Sequence, residues 1–314
     1  LGLTGPGGTW ELQGKGEDVI VGILDTGIWP EHPSFSDQSD FSFAQGSRGR
    51  RTLAYGSPPE SWNGSCQAGE RWSEQHCNNK IIGARYYPDG FSANGNSGLL
   101  TNEFLSARDS DGHGSHVAGT AAGNEGPINT LTQKPVSGIA PRARIAVYKV
   151  CWDPREGDGG CASSDSAAAI DQAIADGVDV INFSIGGSST SFSSPDDIAF
   201  LFAADAGVWV ATSNGNAGPG AQTTGTPAGV PWITAVGAMQ DDEVFALNLE
   251  VSGDLEDSYF ALEGSGDVPF TTDLTHALVP ADPLDGCGPL NNDIGGEFAL
   301  VIRGGCAFTD KYNN

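Results

Sequence analysis

The sequence predicts an α/β fold: a doubly wound parallel sheet with helices on both faces. Three observations carry this reading. Val19-Ile20-Val21-Gly22-Ile23-Leu24 is an unbroken apolar run that meets a carboxylate at Asp25, followed by Thr26-Gly27. Such a run, without polar alternation, reads as a strand buried on both faces, as in a parallel sheet. Between residues 143 and 236 strand and helix patterns alternate, which implies crossovers between parallel strands. Glycine also follows each helical pattern, at Gly177 and Gly207, where a left-handed residue ends a helix.

Taken in order, residues 1–16 are a Gly/Pro-rich lead into the strand that ends at Asp25, and Trp29-Pro30-Glu31-His32-Pro33 is held extended by its prolines. Residues 36–98 are polar and Gly/Asn/Ser-rich, with Trp62 and Trp72 interspersed, and read as a surface excursion held by Cys66 and Cys77. Asn63-Gly64-Ser65 within it is a glycan-acceptor triplet. Residues 80–86 form a strand, and a helix begins at His113. Residues 143–150 form a strand and 164–176 a helix, with Ser164 suited to the N-cap and Ala167, Ile170 and Ile174 on one face. Residues 178–185 form a strand, 196–206 a helix with acids in its first turn, and 208–212 and 232–236 two further strands. Beyond residue 240 helical periodicity fades and short alternating runs such as Phe298-Ala299-Leu300-Val301-Ile302 appear. Residues 241–314 therefore read as the start of a separate β-rich module after a first domain at 1–240.

Composition narrows the function. A formal net charge of -25 over 314 residues argues against nucleic acid, which demands basic surface, and against anionic membranes. No apolar run reaches membrane-spanning length. The chain opens on Leu1, with neither methionine nor a signal sequence, so a product longer at its N-terminus is expected. The six cysteines fall into neighbouring pairs, Cys66 with Cys77, Cys151 with Cys161 and Cys287 with Cys306. An even count suggests disulfides and an oxidising compartment; six cysteines allow fifteen pairings, and the neighbour pairing is chosen on proximity alone.

The chemistry centres on Asp109-Ser110-Asp111-Gly112-His113-Gly114-Ser115-His116. Gly112 and Gly114 leave room for backbone or substrate beside the His113 ring. A histidine at a helix mouth is a candidate general base, although a His-x-x-His pair is as often structural. Asp25, at the carboxyl end of a buried strand, needs a partner for its charge, and His113 is the candidate.

Asp25 and His113, in this order and setting, resemble the subtilisin-like serine protease family. The matching segments are Gly22-Ile23-Leu24-Asp25-Thr26-Gly27-Ile28, Asp111-Gly112-His113-Gly114-Ser115-His116-Val117-Ala118-Gly119-Thr120, Ile181-Asn182-Phe183-Ser184-Ile185-Gly186-Gly187 and Ser213-Asn214-Gly215-Asn216-Ala217-Gly218, within residues 10–240. Trp29-Pro30-Glu31 and Lys149-Val150-Cys151-Trp152 resemble the large secreted members found in plants and some bacteria. The tail around Asp285-Gly286-Cys287 and Arg303-Gly304-Gly305-Cys306 resembles the protease-associated domain inserted in those enzymes.

The resemblance implies a secreted endopeptidase with polypeptide substrates and a propeptide. His113 would be the base, Asp25 its orienting partner and Asn216 the oxyanion donor, a contribution worth about 3–4 kcal/mol of barrier in subtilisin itself. Ser184, Ile185 and Gly186 would pair with substrate backbone, and Gly160 would lie on the opposite pairing strand. His116 would be structural, and His32, His76 and His276 solvated. No cofactor is expected for the chemistry. Structural calcium often accompanies the family, but loop 126–135 has few carboxylates and no ligands are assigned.

The family's serine segment, Gly-Thr-Ser-Met-Ala, is missing. Met239 is the only methionine, Ser252, Ser258 and Ser265 lack the setting, and Gly225-Thr226-Pro227-Ala228 carries proline where serine would stand. An N-terminal fragment, inactive alone and completed by a C-terminal remainder of the same protein, is therefore expected. The alternative is a non-catalytic peptide-binding protein. Asp25-Thr26-Gly27 is also an aspartic-protease signature, but no second copy occurs. A zinc site at His113 and His116 lacks a third ligand.

Overall fold

The structure is a computed structural model. It describes residues 2–41, 51–96, 98, 100, 103–129, 134–153, 159–187, 192–239, 247–253, 257–261, 274–302 and 311. In chain order these form α1 (Thr9–Gln13), β1 (Ile20–Asp25), β2 (Gln38–Phe41), β3 (Arg51–Ala54), β4 (Ile81–Tyr86), the single turn α2 (Asp89–Phe91), α3 (His113–Ala122), β5 (Arg144–Lys149), β6 (Cys151–Trp152) and β7 (Gly160–Cys161). There follow α4 (Ser163–Asp176), β8 (Val180–Phe183), α5 (Pro195–Asp205), β9 (Trp209–Ser213), β10 (Thr234–Val236), β11 (Leu247–Val251), β12 (Asp257–Ala261), β13 (Leu278–Pro280) and β14 (Phe298–Leu300).

Six strands build one sheet in the order β10-β9-β8-β1-β5-β4, and every neighbouring pair is parallel. All six residues of β1 are buried, as the apolar run requires. Its side chains alternate between two cores. Ile20 and Leu24 join Tyr148, Ile170 and Ala173 of α4, and Phe200 and Ala203 of α5. Val21 and Ile23 join Ile145 and Val147 with Ala118 and Ala122 of α3. Helices thus cover both faces, and strand polarity puts every carboxyl end at one edge. The chain passes from β5 across β1 to β8, so order reverses beside β1; open α/β sheets bind ligands outside such a reversal.

Local details differ from the sequence reading in instructive ways. α4 begins one residue early: Ala162 is its N-cap and caps with no side chain, while Ser164 lies inside the first turn. Its most buried face is Ser166, Ala169, Ile170 and Ala173, with Ala167 and Ile174 only partly buried against it. Small residues let α4 approach the sheet and α5 closely, and tertiary packing outranks the capping preference. α5 is capped by Ser194, through a capping box with Asp197, and starts at Pro195. Gly177 ends α4 at φ 91°. The excursion at 36–98 is not all surface: Trp72, Tyr55 and Phe91 are buried, and Trp72 belongs to the α3-side core. His76 is half-buried, its ring stacked 5.3 Å from Trp72, whereas His32 and His276 are exposed.

Disulfides join Cys66 to Cys77 and Cys151 to Cys161. Closing loops 11 and 10 residues apart in sequence is worth about 3 kcal/mol each by chain entropy. Cys306 lies outside the described residues, and with it the pairing expected for Cys287. Chain contacts divide the protein into residues 1–241 and 242–314. The second unit holds an antiparallel β11–β12 pair and a parallel β13–β14 pair.

Candidate active site

β1 delivers Asp25 to the carboxyl edge with the side chain 1% exposed. One carboxylate oxygen, Oδ1, accepts the Thr26 backbone N–H at 2.7 Å and lies 2.7 Å from His113 Nδ1. Oδ2 is buried with no hydrogen-bond partner among the described residues. An ionised carboxylate only accepts, so the short contact puts the imidazole proton on Nδ1 and leaves a lone pair on Nε2. The hydrogen bond from Asp25 raises the His113 pKa above its ordinary value; burial opposes this, and the charges of Asp25, Asp111 and Asp109 add to it. The ring is half-exposed, at 51%.

Asp25 and His113 lie 88 residues apart in sequence, and a third carboxylate fixes their meeting. Asp109 Oδ1 accepts Thr26 Oγ1–H at 2.9 Å and the backbone N–H groups of Asp111 (3.1 Å) and Gly112 (2.9 Å). Its Oδ2 accepts the N–H and hydroxyl of Ser115 at 2.9 and 2.6 Å. Thr26 Oγ1 in turn accepts the Gly114 N–H at 2.8 Å. One buried carboxylate therefore ties the exit of β1 to the first turn of α3, where four N–H groups lack intrahelical partners. Burial pushes the Asp109 pKa up, but the bonds from Ser115, Gly112 and Thr26 outweigh it and leave the carboxyl below its ordinary value. Glycine is required on both sides of this contact. Gly27 sits at φ 113° with a would-be Cβ 2.6 Å from Ala107 O, and a Cβ on Gly114 would overlap the Gly27 carbonyl oxygen.

Behind His113 the polar network is closed. Lys149, at the end of β5, donates to Glu103 Oε1 at 3.0 Å and to Arg108 O at 2.8 Å with both charged side chains buried. Burial pushes the Lys149 pKa down while Glu103 pulls it up. Arg108 holds Glu31 through two parallel bonds of 2.9 and 2.7 Å.

In front of His113 lies a cleft of about 370 Å³ that gathers Asp25, His113, Gly160, Ser184 and Ile185 of the predicted residues, with Cys151 and Cys161 in its wall. Ser184 donates its hydroxyl to Asn182 Oδ1 at 3.1 Å. Gly186 is exposed just beyond the lining, where Gly187 N–H donates to Thr226 O at 2.8 Å. Asn216 is exposed in the loop after β9 and does not line the cleft. His116 is exposed on α3. Residues that sequence reasoning missed also face the cleft: Thr26, Asp111, Trp152 and Asp153. Burial in the cleft raises the Asp153 pKa, and the like charge and hydrogen bond of Asp111 raise it further. Asp111 stood in the quoted stretch, but nothing local ties it to Asp153. Ser265 lies outside the described residues, and no described side chain hydrogen-bonds His113 Nε2. Among the described residues no three His, Cys, Asp or Glu side chains converge to hold a metal, and residues 130–133 of the 126–135 loop fall outside them.

The parallel sheet thus carries an Asp–His pair at its carboxyl edge. The subtilase family model matches residues 16–282, and the chain belongs to that family. A subtilisin-like protease of Arabidopsis thaliana, SBT1.6, is 43% identical over 253 residues, which are 78% of this chain and 30% of the relative. A second from the same plant, SBT1.4, is 37% identical over 334 aligned residues, covering 99% of this chain and 38% of the relative. The chain thus spans about a third of the length of the curated relatives it matches. A psychrophilic protease of known structure aligns at TM-score 0.43 and 27% identity over 70% of this chain and 53% of its own.

Proposed function

We propose that the protein is a secreted serine endopeptidase that cleaves polypeptides through an Asp–His–Ser triad, to which this chain contributes Asp25 and His113. The observation that carries the reading is the 2.7 Å contact between Asp25 Oδ1 and His113 Nδ1 at the mouth of a cleft. Asp25 holds the tautomer and stabilises the imidazolium. His113 Nε2 takes the serine proton and returns it to the leaving amine. The serine comes from polypeptide of the same protein outside these 314 residues, which agrees with an Nε2 that has no partner among the described residues. Asn216 donates to the oxyanion once that polypeptide is in place. Ser184, Ile185 and Gly186 on one wall and Gly160 on the other pair with substrate backbone. Residues 241–314 begin a protease-associated domain, and a propeptide precedes the mature chain. Two disulfides support an oxidising, extracellular setting, and no described helix is long and apolar enough to cross a membrane.

A serine-directed phosphonate tests the proposal. The full-length protein should be labelled and should cleave a denatured protein substrate, and the 314-residue chain should do neither. Labelling of the isolated chain would refute the division of the triad. A full-length protein that binds peptides without cleaving them would support the non-catalytic alternative.

A further inference from the structure

We propose that Asn63 is an N-glycosylation site and that Asn182, which stands in the same sequence context, is not. The inference rests on the secretory reading above. The chain contains two Asn-x-Ser/Thr triplets, Asn63-Gly64-Ser65 and Asn182-Phe183-Ser184, and the triplet alone cannot separate them. The fold does.

Asn63 and Ser65 are both exposed, in a loop whose backbone is anchored on each side. Asn63 N–H donates to Asp176 O at 2.9 Å, Ala84 N–H donates to Ser65 O at 3.0 Å, and Cys66 is tied to Cys77. Gly64 lies against the Trp62 ring, which a Cβ there would overlap. The main chain is thus pinned inward while the Asn63 amide faces outward. Its Nδ2 makes one bond, to Ser61 O at 2.9 Å. A glycosylated amide keeps one N–H, so that bond survives modification.

Asn182 lies inside β8, which is paired with β1 on one side and β9 on the other, opposite Ile23 and Ala211. Its Oδ1 accepts the hydroxyl of Ser184, so the triplet's own serine is engaged at the cleft wall. A glycan there would have to be housed beside a central strand of the buried sheet.

The step itself is a group transfer. Asn63 Nδ2 attacks the anomeric carbon of a lipid diphosphate-linked oligosaccharide. The N–C bond forms, the bond from that carbon to the diphosphate oxygen breaks, the amide gives up one proton and the lipid diphosphate leaves.

The test is to secrete the full-length protein from eukaryotic cells, release N-glycans enzymatically and map the peptides by mass spectrometry. Asn63 should be converted to aspartate in most molecules and Asn182 in none. Asn63→Gln and Ser65→Ala should each remove the glycan signal of the residue-63 peptide from the map, and Asn182→Gln should leave it intact. Unmodified Asn63 overturns the proposal, as does a glycan on Asn182. The Cys66–Cys77 peptide from the same digest separates the two readings. A linked disulfide with bare Asn63 defeats the glycan alone; reduced cysteines with bare Asn63 defeat secretion as well.

Discussion

The two edges of the six-stranded sheet solve the burial of charge in opposite ways. At the amino edge, beside the start of β4, Lys80 is wholly buried with no carboxylate paired to it among the described residues. Its Nζ donates to Tyr55 Oη at 2.9 Å, Pro141 O at 3.0 Å and Ala143 O at 2.6 Å. Arg144, at the start of β5, donates only to the backbone carbonyls of Gly56, Asn79 and Ser57. At the carboxyl edge carboxylates dominate, and among the described residues the buried Asp25 Oδ2 has no partner; neither have Asp197 Oδ1 in the first turn of α5 and Thr212 Oγ1 near the end of β9, and the half-exposed His113 Nε2 has none either. The amino edge spends its donors on holding loops in place. The carboxyl edge leaves valences open where chemistry is expected. Satisfaction of buried polar groups is the rule, and Asp25 Oδ2 departs from it inside the cleft, beside the His113 ring.

The largest expected effect breaks that comparison at its centre. Asp25→Asn in the full-length enzyme should preserve the fold, by circular dichroism, and lower kcat about 10⁴-fold, as the wrong tautomer does in a triad. A loss below tenfold in peptide-hydrolysis kinetics would mean the open valences are incidental. Asp109→Ala should cost about 3 kcal/mol in urea unfolding, since it orphans N–H groups at the mouth of α3. Its carboxyl titrates below the ordinary value. That stabilisation is therefore present above the unfolded carboxyl pKa and lost as pH falls through the lower folded one, so the deficit of the variant should vanish only in acid.

At the other edge, Lys80→Met should cost about 2 kcal/mol through the acceptors it leaves unpaired. Burial, then Arg142 and Arg144, push the Lys80 pKa down to about 6. Between that value and the ordinary lysine range the unfolded chain binds more protons than the folded one. Stability of the wild type relative to the variant should therefore rise with pH across that window, and a flat profile would show the ammonium persisting. The smallest effect concerns His113. Its raised pKa means its contribution to stability is present below the unfolded value and lost as pH rises through the folded one. Histidine NMR of the 314-residue chain should show one ring titrating above the ordinary value, and Asp25→Asn should move it down.

The sheet was legible because its information is local. An apolar run that ends in a carboxylate states both burial and edge, and Gly177 and Gly207 close α4 and α5 where they were expected. The Asp25–His113 contact was legible for the same reason, since each residue announces itself within its own segment. Asp109 was not, because its five bonds come from Thr26 and from the helix turn it caps, groups that only the fold assembles. Lys80 read only as the first residue of a strand; its burial depends on Tyr55 from a distant loop. Trp72 sat in polar text and still packs beneath α3. Asn216 matched a motif, yet its side chain stays outside the cleft lining.

The crowding of Gly114 against Gly27 acts as a mechanical stop. The two backbones touch beside the Thr26 hydroxyl that accepts the Gly114 N–H, so the depth at which the imidazole sits is set by this contact together with the Asp109 clamp. Even one methyl group at residue 114 would overlap the Gly27 carbonyl oxygen and press the helix mouth outward, away from the carboxylate. The Gly27–Gly114 part of that alignment rests on atoms that substitution cannot fine-tune, only displace.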